Sequence, residues 1–232
     1  MRIKQFPYSA DNFSYILYSE NTAIAIDGGA VKEILSFIGE KGLKLKYVVN
    51  THSHFDHTLG NNRLVKESKG RYLTCESLVS RGEIKLDDEK IQILHTPGHT
   101  NDSLVFHFNS TLITGDTLFN GTVGNCFTED YNKFLNSIKL LTAFSGETRV
   151  YAGHDYVKYA MAFAKIIEPG NENIQKYLSQ YKGKNVFSIL ADELKVNPFL
   201  RFNDPNMIGI LEKKGLSIET EYDRWMSVMS LD

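Results

Sequence analysis

The chain has 232 residues, 42% of them hydrophobic, and a formal net charge of −2 at pH 7. That length supplies one large domain, or a domain with an appendage, around an ample core, and the near-neutral balance gives no electrostatic case for nucleic acid or an anionic membrane as partner. No stretch approaches the ~20 apolar residues of a membrane span, the N-terminus has basic residues without the apolar run of a signal peptide, and two widely separated cysteines, Cys75 and Cys126, suit a reducing cytoplasm better than a disulfide scaffold.

Up to Gly29 the pattern is strand-like, with FSYILYS and TAIAIDGG divided by the turn residues Glu20 and Asn21. Ala30–Lys41 reads as a helix with Val31, Ile34, Leu35 and Ile38 on one face and Gly42 ending it. Next comes KYVVN at Lys46–Asn50, a β-branched run, and directly after it Thr51–His57, THSHFDH. His52, His54, Asp56 and His57 therefore lie where a strand ends. Imidazole nitrogen and carboxylate oxygen are the ligands that hold zinc and other divalent first-row metals. Ligands two apart face opposite sides of a helix, so His52 and His54 need an extended or turning backbone to converge.

Leu59–Ser68 reads as a short helix closed near Gly70, followed by strands at Arg71–Thr74 and Ile84–Leu86. Three later runs each end in a Gly-containing turn carrying one more ligand type: IQILHTPGHT delivers His99, TLITGDT delivers Asp116 and RVYAGHD delivers His154. Between them, Ser103–Phe108 pairs with Thr111–Thr114 across Asn109-Ser110, Tyr131–Phe144 is an amphipathic helix, and Thr148–Ala152 is the last strand of the core. His95 and His107 read as structural, and both cysteines as buried or incidental. Beyond His154 the texture is helical only, broken at Pro169-Gly170 and punctuated by Asn197-Pro198 and Asp204-Pro205. The expected division is a catalytic domain over 1–168 and a helical appendage over 169–232 that covers the substrate site.

The series THSHFDH, HTPGHT, TGDTLF and YAGHDY, in that order and at those separations, resembles the metallo-β-lactamase superfamily, and more narrowly its glyoxalase II branch, the hydroxyacylglutathione hydrolases. DNFSYIL (Asp11–Leu17) and AIDGG (Ala25–Gly29) are similar to the family's opening strands. EPGNENI (Glu168–Ile174) and NPFLR (Asn197–Arg201) are similar to the branch's C-terminal region. The resemblance implies an α/β four-layer αββα sandwich with a C-terminal helical appendage. It assigns His52, His54 and His99 to one metal, Asp56, His57 and His154 to a second, and Asp116 as a bridge. Two divalent metals are implied, zinc as the first expectation and iron or manganese as alternatives, because imidazole and carboxylate accept all three.

The implied activity is hydrolysis of a small-molecule acyl thioester, S-D-lactoylglutathione or a related hydroxyacyl-thiol, by a cytoplasmic monomer. A metal-held hydroxide, oriented by Asp56, attacks the carbonyl, and a thiol of pKa near ~8.5 departs without a strong general acid. Tyr156 matches the tyrosine that contacts glutathione in the family. Asn125 and Phe127 stand where a basic residue and a second tyrosine are usual, and the basic pair expected after NPFLR finds no match. Three alternatives belong beside this expectation: a persulfide dioxygenase with one iron, a lactonase of the same superfamily, and a metal-bearing module without turnover.

Overall fold

The two N-terminal apolar runs become β1 (Arg2–Tyr8), β2 (Asn12–Tyr18) and β3 (Thr22–Ile26) in a computed structural model that describes residues 1–231. Along β2, Phe13, Tyr15 and Leu17 face one core while Ile16 faces another, the period-2 alternation of a strand covered on both sides. The first sheet is completed by β4 (Lys44–Val49) and β5 (Arg71–Tyr72), in the order β1-β2-β3-β4-β5. Ile34 and Ile38 of α1 (Val31–Lys41) and Leu64 of α3 (Asn61–Ser68) cover its outer face, and the αL conformation of Gly42 ends α1.

The second sheet follows the order β11-β10-β9-β8-β7-β6. It is built from β6 (Glu83–Leu86), β7 (Glu89–His95), β8 (Leu104–Phe108), β9 (Thr111–Gly115), β10 (Arg149–Ala152) and β11 (Ser188–Ile189). Its inner face sets Ile91, Ile93, Leu104, Phe106 and Ile113 against Phe13, Tyr15 and Ile24 of the first sheet. Its outer face is covered by Phe134, Leu135, Ile138 and Leu141 of α5 (Tyr131–Thr142). Helix, sheet, sheet and helix are the four layers expected.

The tail holds α6 (Val157–Ile167), α7 (Glu172–Gln180), α8 (Leu190–Val196), α9 (Pro205–Lys213) and α10 (Glu221–Met229). It is not helical throughout, because β11 adds a short antiparallel edge to β10. Ser188–Ile189 carries no strand signal of its own, and β10's free edge supplies the pairing. Trp225 of α10 is wholly buried between Phe134 and Phe202, at ring-centroid distances of 5.8 and 5.6 Å. Truncating such a side chain costs about 3–5 kcal/mol, so α10 is anchored to the sandwich. The Arg201 guanidinium pairs with Glu168 at 2.6 Å and Asp204 at 3.0 Å, which ties NPFLR to the end of α6. No helix among the described residues is long and apolar enough to cross a membrane.

Two local differences have plain causes. The strand expected at Arg71–Thr74 stops at Tyr72, because the Thr74 side chain instead accepts from the Ser77 amide and caps α4 (Cys75–Arg81), a helix the periodicity did not reveal. Asn61 rather than Leu59 begins α3, since Phe55–Thr58 forms its own single turn, α2.

Candidate metal centre

Strand direction brings the ligand-type residues to one edge. β10 runs parallel to β9, and β7 runs parallel to β9 through the antiparallel β8 between them, so all three end on the same side. Those ends lead to His99, Asp116 and His154. β4 of the other sheet ends there too, and the Leu104 amide donates to the Thr51 carbonyl at 2.7 Å, joining the sheets at the THSHFDH loop. His54, extended at φ −60 and ψ 146, caps α2. Thus His52 and His54 come from extended chain, while Asp56 and His57 project from the following turn.

Seven side chains converge. His52 Nε2 and His99 Nε2 lie 2.9 and 3.1 Å from His54 Nδ1. On the other side, His57 Nε2 and His154 Nε2 are 3.2 Å apart, with Asp56 Oδ2 at 3.5 and 3.4 Å from them. Asp116 stands between the groups: Oδ1 is 3.4 Å from His57, and Oδ2 is 3.6 Å from His99, 3.9 Å from His52 and 3.4 Å from His154. Three ligand groupings emerge, His52/His54/His99, His52/His57/Asp116 and Asp56/His57/His154, each with donor atoms within 4.8 Å of one another. Asp116 Oδ1 is buried without a hydrogen-bond partner. An orphaned, buried carboxylate oxygen facing converging imidazole lone pairs is the environment a divalent cation satisfies. The residues present fit such metals.

Backbone geometry makes this convergence feasible. Gly115, just before Asp116, has φ +51, and a Cβ there would lie 2.5 Å from Thr51 Cβ; a Cβ on Gly153 would lie 2.1 Å from Asp116 Oδ1. Neither position tolerates a side chain without displacing the cluster.

Four of the five imidazoles are anchored through their outward nitrogen. His57 Nδ1 donates to Asp27 Oδ2 (3.0 Å), His154 Nδ1 to Asp11 Oδ1 (2.8 Å), His99 Nδ1 to the Asn125 carbonyl (2.9 Å) and His52 Nδ1 to Thr51 Oγ1 (3.1 Å). A donor assigned to Nδ1 leaves the Nε2 lone pair pointing inward. Asn12 Nδ2 donates to Asp56 Oδ2 (2.8 Å), and the Tyr8 hydroxyl donates to the Asp56 carbonyl (2.8 Å). Asp27 is wholly buried and also accepts from the Thr51 amide and hydroxyl.

In the metal-free chain burial pushes His52 down to about 4, and it lowers His99 as well. Burial acts the same way on His57, but Asp27 and Asp116 outweigh it and raise the group to about 11. His154 also rises, because Asp116 and Asp11 overcome its burial. Asp116, despite burial, is held well below the usual carboxylate range by His154 and His57.

The proposed substrate contacts flank the cluster. The Tyr156 ring stacks on His154 at 5.1 Å and 11°. Phe127, 62% exposed, sets its ring edge toward His54 and His99 at 5.5 and 5.2 Å. Asn125 contributes its carbonyl to His99 rather than its side chain. His95 and His107 lie outside the cluster: His95 Nε2 donates to the Asn101 carbonyl, and His107 packs on Phe144. The residues missed from sequence are Tyr8, Asp11, Asn12, Asp27 and Asn50, whose side chain bonds the His57 carbonyl at 2.7 Å. DNFSYIL and AIDGG contain three of them, and a strand-end aspartate followed by Gly-Gly was the available signal for Asp27.

Comparison with known proteins bears on the same residues. The family described as Metallo-beta-lactamase superfamily matches residues 11–77 and 74–154, and that described as Hydroxyacylglutathione hydrolase C-terminus matches 155–226. A protein named hydroxyacylglutathione hydrolase from Hydrogenovibrio crunogenus is 30% identical over 92% of this chain and 87% of its own. Another of that name from Pelagibacter ubique is 32% identical over 82% of this chain and 89% of its own. The crystal structure of ETHE1 from Myxococcus xanthus superposes with a TM-score of 0.67 at 22% identity, over 99% of this chain and 90% of that one, a likeness of fold.

Proposed function

The chain belongs to the metallo-β-lactamase superfamily, within it to the hydroxyacylglutathione hydrolases, and is a metal-dependent hydrolase; from that premise we propose a binuclear thioester hydrolase. The observation that carries the reading is the pair of triads sharing one carboxylate. His52, His54 and His99 would hold one metal, Asp56, His57 and His154 the other, and Asp116 both, with zinc as the first candidate. Such metals supply a water deprotonated near neutral pH and a Lewis acid for the carbonyl oxygen.

The chain's own residues do the rest. Asp56, fixed by Asn12, accepts a hydrogen bond from the attacking water and sets its direction. Asp27, Asp11, Asn125 and Thr51 keep the ligand tautomers fixed. Tyr156 and Phe127 line opposite sides of the approach. The thiolate leaves unaided, as its ~8.5 pKa allows.

The acyl carrier is a narrower matter. Glutathione presents two carboxylates, and the two arginines of the C-terminal region nearest the expected basic pair, Arg201 and Arg224, are engaged elsewhere. Arg201 is 8% exposed and committed to Glu168 and Asp204. Arg224 bonds Asn203 and the Ile218 carbonyl. We therefore propose S-D-lactoylglutathione as a weakly bound substrate beside thioesters of a less anionic carrier. Each charge-assisted hydrogen bond absent costs about 1.5–3 kcal/mol, so two raise KM roughly a hundredfold or more. Steady-state kinetics on metal-loaded protein with a thioester panel tests both levels. Turnover of simple acyl thioesters with a high KM for the glutathione thioester is expected. A low-micromolar KM for the latter overturns the carrier reading, and no turnover of any thioester overturns the function.

The region 169–232 we propose to act on substrate selection rather than chemistry, since none of its side chains belongs to the ligand groupings.

A further inference from the structure

The loop that follows Asp116 is gripped from the tail at three consecutive residues. Asn120 Nδ2 donates to Ser188 Oγ (2.7 Å), the Gly121 amide donates to Glu193 Oε2 (2.8 Å), and Asn197 Nδ2 donates to the Thr122 carbonyl (3.1 Å). Glu193 is the hub. Wholly buried, it also accepts from the Tyr177 hydroxyl and from Asn197 Nδ2 (3.2 Å). All of these partners are neutral. A carboxylate placed in the core without a cation costs free energy that neutral donors only partly return, so its presence there asks for a role beyond packing.

What it holds supplies that role. Gly121 sits at φ +96, a conformation that side chains rarely adopt, and a Cβ there would meet Met161 Cε at 2.5 Å and Ala160 Cβ at 3.0 Å on α6. The segment is therefore pinned by α6 on one side and α8 on the other. Upstream it continues from Asp116. Downstream it delivers the Asn125 carbonyl to His99 Nδ1 and the Phe127 ring to the edges of His54 and His99. A shift at Gly121 is transmitted to both ends, because the chain between them is short and mostly buried.

We infer that Glu193 is a positioning residue: through the Gly121 amide it fixes the 117–127 loop, so that Asn125 orients His99 and Phe127 walls the substrate entrance. This rests on His99 being a metal ligand, as proposed above, and its test does not depend on thioester turnover.

The test compares full-length wild type with Glu193→Ala and Glu193→Gln by hydrogen exchange and by zinc titration of the apoprotein. In Glu193→Ala, amides over 119–128 are expected to exchange about tenfold faster while those of β2–β4 keep their protection. Zinc affinity should fall about tenfold, the low end of the loss caused by removing a partner behind a ligand. Glu193→Gln keeps an oxygen for the Gly121 amide and should restore both readouts. A folded Glu193→Ala protein with a lowered Tm but wild-type loop exchange and zinc affinity overturns the inference. Should Glu193→Ala fail to fold, Glu193→Asp carries the test. It keeps a buried carboxylate but is one methylene too short to reach the Gly121 amide. Faster loop exchange with weaker zinc binding supports the inference, and wild-type values for both overturn it. If these readouts respond while the wild type cleaves no thioester, the positioning role stands and the thioesterase reading falls.

Discussion

The two triads use similar side chains but are backed by different chemistry. Behind His52 and His99 stand neutral acceptors, the Thr51 hydroxyl and the Asn125 carbonyl. Behind His57 and His154 stand carboxylates, Asp27 and Asp11. The Asp56 triad therefore holds more basic imidazoles and carries a negative ligand besides the shared Asp116, whereas the His54 triad is neutral apart from Asp116. In the metal-free chain the first pair of imidazoles is pushed down by burial, and the second pair is pulled up by neighbouring carboxylates. His52 and His99 would meet a cation without losing protons, whereas His57 and His154 would first have to release theirs.

Asp116 sets Oδ1 3.4 Å from His57 and Oδ2 3.6 Å from His99, histidines of the two different triads, so removing it abolishes the comparison altogether. Asp116→Ala is expected to lower metal content in both halves and to cost activity more than the ~10–100-fold typical of losing a partner behind a ligand. Metal analysis beside kinetics checks it. Near-normal metal content and rate would eliminate the bridging role. A chelator should reproduce the loss in the wild type, reversed by adding metal back.

Asp27→Asn strikes the carboxylate-backed half directly and reaches the other only indirectly, through the Thr51 hydroxyl, which donates to Asp27 and backs His52. The amide NH₂ facing His57 Nδ1 favours the tautomer that protonates Nε2, turning the inward nitrogen from acceptor to donor. One of two zinc-binding phases should weaken by about 10–100-fold while the other persists. Asp11→Asn should do the same more mildly, because Asp11 is 39% exposed and water can replace it. Equal weakening of both phases by Asp27→Asn would show that the halves are not independently tuned.

Proton release gives a gentler handle. His57 must lose a proton held up to about 11, while His52, at about 4, is already neutral at pH 7. One phase should therefore strengthen about tenfold per pH unit between pH 6 and 9 for each proton displaced, and the other stay flat. The same shift has a sign for folding. His57 lies above its unfolded value of ~6.5, so in metal-free protein its contribution is complete below that pH and fades as pH climbs toward 11. Calorimetric titration in buffers of different ionisation enthalpy counts the protons, and identical pH slopes for both phases would contradict the division.

How much of this was legible from sequence follows the same line. Ligand-type side chains are chemically rare and these lie at strand ends, so His52, His54, Asp56, His57, His99, Asp116 and His154 stand out in the sequence itself. Their backing did not. Asp27 and Asp11 look like ordinary turn carboxylates until β3, β4 and β10 bring them behind histidines 30 and 143 residues away. The neutral backing is less visible still, since the Asn125 carbonyl is backbone and no side chain announces it. The layered sandwich came from the family resemblance rather than from periodicity, which locates strands but not their sheets. α4 was masked because its cap, Thr74, also extends the apparent strand, and β11 exists only through pairing with β10.

The smallest expected effect lies at the entrance, where the halves differ again: Tyr156 stacks beside the Asp56 triad, and Phe127 borders the His54 triad without a hydroxyl. Phe127 is 62% exposed, so Phe127→Tyr adds a phenol oxygen without displacing the core. A neutral hydrogen bond nets about 0.5–1.5 kcal/mol, or roughly a two- to twelvefold lower KM. The gain should be confined to glutathione thioesters, whose carrier offers polar atoms along that wall, and kcat should hardly move because the ligands are untouched. An acyl thioester with an apolar carrier should lose slightly, since the hydroxyl then needs water where the ring had hydrocarbon. Measuring both KM values for both proteins separates the cases. Equal changes for the two substrates would mean that Phe127 meets the acyl group, which both share, and would move the carrier to the Tyr156 side.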